Sequence, residues 1–185
     1  MKEKVEEMIP MSERKFFKLS DRTEVDLVPY IKEKIGERDD VAIYVGCDSQ
    51  NSRSKTFYGI VVVLHYGKDI SEDSRSLAYH EGGGKGAHVI YSTQKFRRIR
   101  ERRDRLWKEV ETSVALADYL VESGLPRPDF IDIDMNPDPK FKSNELLTSA
   151  LGYVEHYGYK ARFKPKALSA SYAADRLVRK KKSSN

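Results

Sequence analysis

The chain of 185 residues has one cysteine and no long apolar run. Because Cys47 has no partner for an internal disulfide, we expect a protein of a reducing compartment and place it in the cytoplasm. No apolar stretch reaches the length of a membrane span, and the polar, acidic N-terminal segment lacks the pattern of a secretory signal. We therefore expect no membrane partner.

The sequence also lacks the motifs of two common kinds of functional site. Its four histidines show no spacing typical of metal ligands, so they predict no zinc site. Residues 82–86 form a glycine-rich run with one lysine, but Gly86 stands where a phosphate-binding P-loop has Ser or Thr. A flexible hairpin tip is the simpler interpretation of this run.

The chain is rich in charge. Asp, Glu, Lys and Arg make up 34% of the residues, and the formal net charge is +5. A mildly basic balance permits nucleic acid as a partner without requiring it. The length fits one domain with a sizeable core.

Hydrophobic patterning predicts an α/β fold. Three β-prone segments come first, at 41–47, 56–66 and 87–94, and we expect them to pair antiparallel. Helices and strands then alternate, with helices at 96–122, 144–157 and 169–179 and strands at 128–136 and 159–164. We therefore expect a mixed five-stranded sheet with helices on its faces, the later strands being reached by right-handed crossovers.

The ends of the chain differ in composition from its middle. We assign residues 1–22 to an N-terminal arm, 23–179 to a single domain and 180–185 to a basic disordered tail. The domain begins at a helix, whose start is marked by Thr23 and Asp26 in the spacing of a capping box.

Two of the predicted strands end in acids. Asp48 follows the apolar run of the first strand, and the fourth strand contains Asp132 and Asp134. If these strands lie side by side and parallel, their acids meet at one edge of the sheet. Asp134 is nearer to the end of its strand, so we prefer it as the partner of Asp48. Asp132 is the alternative, or a neighbour that supports the site.

The predicted helices offer further carboxylates. Glu109 shares a flank of the apolar stripe with Ser113, whereas Glu111 lies on a more solvent-exposed side, so Glu109 is preferred. Asp175 lies among small residues, which let helices approach closely. Convergent carboxylates can hold two divalent ions about 3.5–4 Å apart. Hard oxygen ligands favour Mg²⁺ or Mn²⁺ over zinc.

A run of arginines precedes Glu109. Arginine matches phosphate geometry through paired donors, so the run indicates a nucleic-acid contact beside the carboxylates. A solvated charged face is the alternative, because Glu101 and Asp104 partly offset the positive charge. The residues predicted to contact nucleic acid are Arg97, Arg98, Arg100, Arg102, Lys140, Lys142 and Asn144.

Three segments are distinctive: Val-Gly-Cys-Asp-Ser-Gln at 45–50, the block at 132–147, and Ser-Tyr-Ala-Ala-Asp-Arg at 171–176. They resemble the YkuK-like family, a bacterial family of predicted ribonuclease H-like nucleases. The resemblance extends from about residue 41 to residue 179, and the family usually has Thr in place of Cys47. That difference leaves the neighbouring acid unchanged.

The resemblance implies a ribonuclease H-like fold and metal-dependent hydrolysis of phosphodiester bonds. It also implies metal binding by four carboxylates, those of Asp48, Glu109, Asp134 and Asp175. The sequence leaves open whether the nucleic acid is RNA, DNA or a hybrid, and it leaves the oligomeric state open. A protein that binds nucleic acid or another partner on this scaffold without cleavage is the alternative function.

Overall fold

A computed structural model describes residues 8–67, 86–138, 140, 144–164 and 167. The strands of this part of the chain are β1 Phe16–Lys18, β2 Glu24–Val25, β3 Val41–Asn51, β4 Lys55–Tyr66, β5 Ala87–Arg97, β6 Phe130–Ile133 and β7 Ala161–Phe163. Its α-helices are α1 Leu27–Gly36, α2 Arg102–Glu122 and α3 Asn144–His156. The strands form one sheet in the order β2-β1-β5-β4-β3-β6-β7.

Three long antiparallel strands form the centre of the sheet. They are rich in β-branched and aromatic residues, which favour a pleated, half-buried backbone. The ladder between β3 and β4 is continuous, from the pair of Val41 and Tyr66 to the pair of Asn51 and Thr56. β5 pairs with the other edge of β4. The predicted antiparallel arrangement of the first three long strands is confirmed.

Two further pairings are parallel. β6 pairs with β3, and β7 pairs with β6. Parallel neighbours need a crossover connection; α2 lies between β5 and β6 in the chain, and α3 lies between β6 and β7. The predicted alternation of helix and strand, with the acid-bearing strands as parallel neighbours, is confirmed.

The predicted number of five strands is wrong, because two short strands extend the sheet beyond β5. β1 pairs with β5 and β2 pairs with β1, both antiparallel. β1 lies in the segment predicted to be an arm, and its Phe16 is 2% exposed within the main core. Strands of two or three residues are too short to show a period in the sequence. The domain limits at residues 22 and 179 stay a prediction.

The long helix begins at Arg102, later than predicted. β5 continues to Arg97, which pairs with Lys55 of β4, and the chain then connects to α2. Phe96, predicted to begin the helix, is a buried strand residue. Cross-strand pairing with β4 therefore decides the conformation of a segment whose spacing also suits a helix.

The three helices that the structure describes pack on one face of the sheet. Residues of all three belong to the main core, together with every second residue of β3 from Ile43 to Cys47. The opposite face carries a smaller apolar cluster, formed by Ala42, Tyr44, Val61 and Val63. The predicted last helix, 169–179, lies outside the described residues. Within the described ranges, no helix is long and apolar enough to cross a membrane.

Candidate active site

Asp48 lies inside β3, although the sequence predicted that the strand would end before it. The strand continues through its polar residues to Asn51, and Asp48 pairs with Gly59 of β4. The residue is 9% exposed. The ladder with β4 extends the strand past its apolar run, so the carboxylate is held by a central strand and not by an open loop.

Asp134 follows β6 directly, at the level of Asp48. Gly46 pairs with Asp132 in the parallel ladder between β3 and β6. Two residues further along both chains, Asp48 and Asp134 therefore occupy adjacent positions. Both residues lie beyond the last pair of the β3–β6 ladder, which is Gly46 and Asp132.

Lys164, which follows β7, supplies positive charge at this edge. Its ammonium group forms an ion pair with Asp134 Oδ1; the Lys164 side chain is 41% exposed and that of Asp134 is 22% exposed. An ion pair with this much solvent contact is weak, so another cation can compete with Lys164 for Asp134.

Asp132 is engaged in a structural contact. Its side chain is completely buried, and Arg162 of β7 reaches Oδ1 with Nε at 2.8 Å and Nη2 at 2.7 Å. The guanidinium group also lies over the rings of Tyr44, at 4.1 Å, and Phe130, at 4.9 Å. Breaking a buried pair of this kind leaves an uncompensated charge. We therefore keep Asp134, and not Asp132, as the candidate.

Glu109 approaches the same region from α2. It is 4% exposed, and Ser49 Oγ donates a hydrogen bond to its Oε1. One turn earlier on α2, Arg105 Nη1 donates to Ser49, to the backbone O at 2.6 Å and to Oγ at 3.1 Å. This chain of polar contacts joins α2 to β3 directly beside Asp48.

Glu111 points away from the sheet. It is exposed, and its Oε1 accepts a hydrogen bond from Trp107 Nε1 at 2.9 Å. Of the two helical candidates, Glu109 is therefore the one that lies near the acids of β3 and β6.

The carboxylates share one electrostatic environment. Burial raises the pKa of Glu109 well above its usual value, and the negative charges of Asp48 and Asp134 raise it further. The hydrogen bond from Ser49 and the charge of Arg105 act in the opposite direction. Acids that repel one another in this way are stabilised in their ionised forms by a nearby cation.

This environment predicts an effect of pH on stability. Because folding raises the pKa of Glu109, the folded state holds that proton more tightly. The stability that Glu109 contributes is thus fully present below its unfolded pKa of about 4.3 and is lost as the pH rises through the folded value. Glu109→Gln avoids this loss. Its melting temperature, relative to that of the wild type in metal-free buffer, should therefore increase as the pH rises above about 4.3.

Glu111→Gln is the matched control for this measurement, because it makes the same change at an exposed position two residues away. Its melting temperature should follow that of the wild type across the same pH series. A Glu109→Gln curve that also runs parallel to the wild type would show that the Glu109 carboxylate ionises without hindrance.

The carboxylates of the described residues are chemically suited to bind a hard cation, but they do not form a complete set of metal ligands. Among the described residues, no group of three or more His, Cys, Asp or Glu side chains is arranged to hold a metal ion. Asp175, the fourth predicted ligand, lies outside those residues. Asp48, Glu109 and Asp134 nevertheless offer the oxygen donors that Mg²⁺ and Mn²⁺ prefer, and their mutual repulsion favours a cation.

The predicted phosphate-binding arginines are exposed, but the prediction that they lie on one helix is wrong. Arg97 ends β5, Arg98 and Arg100 lie in the connection to α2, and Arg102 begins the helix. Since β5 extends through Arg97, the run bends around the start of α2. The positive charge therefore surrounds this corner of the molecule without forming a helical stripe.

The other residues predicted to contact nucleic acid are only partly described. Lys140 is exposed, and its backbone N–H donates to Asp138 Oδ1 at 2.9 Å. Lys142 and the side chain of Asn144 lie outside the described part of the chain. Their role stays a prediction.

Sequence reasoning missed the contacts that orient Glu109. A serine beside an acid is common in turns, so the sequence alone does not mark Ser49 as a functional residue. Once β3 extends past Cys47, alternation places Ser49 on the face under α2, and this is the signal that could have found it. Arg105 belongs to the same run of arginines by sequence, but it is half-buried against Ser49.

The antiparallel β3-β4-β5 unit, the parallel β6 and β7 and the acids on adjacent strands are features of ribonuclease H-like proteins. The model of the ribonuclease H-like family matches residues 26–179, and the chain belongs to that family. The resemblance stated from the sequence is thereby confirmed. No curated protein and no solved structure matches the chain.

Proposed function

We propose that this protein is a metal-dependent nuclease that hydrolyses phosphodiester bonds. The observation that carries the proposal is the placement of three carboxylates: Glu109 is buried on α2 and bonded to Ser49 beside Asp48, and Asp134 directly follows the neighbouring strand β6. Asp175 is the proposed fourth carboxylate. Membership in the ribonuclease H-like family, whose members usually use divalent metals, supports the same chemistry.

The proposed cofactor is Mg²⁺ or Mn²⁺, as two ions. Bound ions would neutralise charge on the scissile phosphate and lower the pKa of the attacking water. The chain itself supplies rigid placement of the ligands. Asp48 is fixed by the ladder between β3 and β4, in which it pairs with Gly59, and Asp134 is fixed by its position directly after β6.

Ser49 and Arg105 are positioning residues in this proposal. Arg105 holds Ser49 through two acceptors, and Ser49 in turn holds one oxygen of the Glu109 carboxylate. The orientation of Glu109 is therefore set before any ligand binds. Such preorganisation avoids the cost of arranging the group during the reaction.

The exposed arginines are the proposed contacts to the nucleic-acid backbone. They surround the start of α2, the helix that carries Glu109, so a strand that follows them is led toward the carboxylates. Contacts of this kind bind phosphates and do not read base sequence. The proposed set is Arg97, Arg98, Arg100 and Arg102, with Lys140, Lys142 and Asn144 on the β6–α3 side.

A protein that binds nucleic acid without cleaving it is the second candidate. The ion pair between Lys164 and Asp134 favours it, because the ammonium group already neutralises a carboxylate that a metal ion would need. The lack of a three-ligand group among the described residues points in the same direction. The repulsion at Glu109 favours the nuclease, and we retain that as the first proposal.

Incubation with labelled RNA, DNA, RNA–DNA hybrid and branched substrates tests the proposal. We expect cleavage of at least one substrate in millimolar Mg²⁺ or Mn²⁺ and none in excess chelator, because the carboxylates alone cannot activate water. Gel mobility shifts on the same panel report binding. Binding without cleavage of any substrate under all metal conditions would support the second candidate.

A further inference from the structure

A cleft of about 610 Å³ lies along the outer side of α2, against α3. This volume is within the range of about 300–1,000 Å³ that is usual for sites that bind small organic groups. The lining mixes apolar, aromatic and charged side chains, chiefly Ile99, Arg103, Trp107, Lys108, Glu111 and Leu146. The carboxylates proposed to act in hydrolysis do not line it.

Trp107 is the chain's single tryptophan, and its ring is fixed in the cleft. Tyr153 of α3 packs against it edge-on, with ring centroids 5.2 Å apart. The indole Nε1 already donates to Glu111. Trp107 can therefore bind a ligand through the face of its ring, which stacks on planar groups.

The charges of the lining do not favour a free phosphate as the main ligand. Arg103 and Lys108 are balanced by Asp104 and Glu111, so the cleft itself carries no net charge. The exposed arginines are concentrated beside it, at the start of α2. A neutral planar group attached to an anionic chain matches both features.

We infer that this cleft binds a nucleobase of single-stranded nucleic acid, stacked on Trp107, while neighbouring phosphates contact the arginines before and within the first turn of α2. A base within a duplex is already stacked on both faces, so it cannot stack on a protein ring without leaving the helix. Base stacking on aromatic rings tolerates any base, because each base has a π-face. The inference rests on the proposal that the protein acts on nucleic acid, but it requires no cleavage.

The cleft and the carboxylates lie on opposite sides of α2. Trp107 and Glu109 are two residues apart on the helix, and Glu109 faces the sheet whereas Trp107 faces α3. A helix with its side chains is roughly 10–12 Å in diameter. The bound base is therefore displaced along the strand from the bond that the carboxylates would cleave.

Fluorescence of Trp107 provides a direct test, since the chain has no other tryptophan. The wild type is titrated in chelator with three probes of equal length: a single-stranded oligonucleotide, an abasic oligomer that keeps the phosphates, and a blunt duplex. We expect saturable quenching by the single strand and little quenching by the abasic oligomer or the duplex. DNA and RNA versions of the single strand show whether the sugar matters.

Anisotropy of a labelled probe extends the test to variants. Trp107→Ala should weaken binding of the single strand by about 5- to 150-fold, the range measured when a stacking aromatic is removed. It should leave binding of the abasic oligomer nearly unchanged, and Trp107→Phe should retain part of the affinity. Tyr157→Ala is the matched control, because Tyr157, directly after α3, is 43% exposed and is not among the residues that line the cleft.

Trp107→Ala also removes a packing contact with Tyr153, so the wild-type comparison of probes decides the matter if that variant unfolds. Equal affinity of the wild type for the single strand and for the abasic oligomer would overturn the inference. If the protein cleaves nucleic acid but binds the single strand and the abasic oligomer equally well, the nuclease proposal still stands. If the protein binds the single strand more tightly than the abasic oligomer but cleaves no substrate, the base site is supported and the nuclease proposal is contradicted.

Discussion

Glu109→Gln should reduce cleavage by about 10²–10³-fold, the loss typical when one preorganised group that stabilises charge in the transition state is removed. Glutamine keeps the shape of the side chain and can still accept the hydrogen bond that Ser49 donates to Glu109. It lacks the negative charge that would hold a divalent ion. Affinity for nucleic acid, measured by anisotropy, should stay within about twofold because it depends mainly on phosphate contacts elsewhere.

The control for this prediction is Glu111→Gln, which makes the same change on the same helix. Glu111 is exposed and bonded to Trp107, so its replacement should leave the cleavage rate nearly unchanged. A loss of cleavage in Glu111→Gln alone would place the catalytic face on the outer side of α2. Unchanged cleavage in both variants would remove the helix from the active site.

The central fold could be predicted because its signals are long and local. The strand around Ile43 is a continuous β-branched and apolar run, and the helix around Val110 repeats apolar residues at helical spacing. Short elements do not give such signals. β1 has three residues, and it exists because Phe17 and Lys18 pair with β5, a partner about 70 residues away in the chain.

The start of α2 shows how tertiary contacts override a local pattern. Phe96 and Ile99 lie at helical spacing ahead of Leu106, so the sequence favours a helix from residue 96. The ladder between β4 and β5 instead holds Phe96 opposite Thr56 in an extended conformation. The arginines that follow are consequently spread over a strand end, a connection and a helix start.

Some features of the candidate site could likewise be predicted from the sequence, and others could not. The neighbouring positions of Asp48 and Asp134 follow from parallel pairing, which the order of the elements already indicates. The preference for Glu109 follows from the apolar stripe of α2. The contacts of Ser49 with Glu109 and of Lys164 with Asp134 join elements that no periodicity relates, so only the folded structure reveals them.

Asp48→Asn should remove both cleavage and the response of stability to metal. A divalent ion that binds only the folded wild type raises its melting temperature, since ligand at 100 times its dissociation constant adds about 2.7 kcal/mol of stability. Asparagine keeps the strand position of Asp48 but lacks the charge. It also relieves the repulsion between Asp48 and Glu109, so the metal-free variant should be at least as stable as the metal-free wild type.

Thermal melts across a titration with Mn²⁺, followed by excess chelator, measure this effect. Asp39→Asn is the matched control, because Asp39 is an exposed acid just before the opposite end of β3. Its melting temperature should rise with Mn²⁺ as in the wild type. If Asp48→Asn responds to Mn²⁺ as strongly as Asp39→Asn, the ion binds elsewhere and Asp48 is not a ligand. If neither the wild type nor either variant responds, the ion pair with Lys164 already neutralises the Asp134 carboxylate, as the non-catalytic alternative requires.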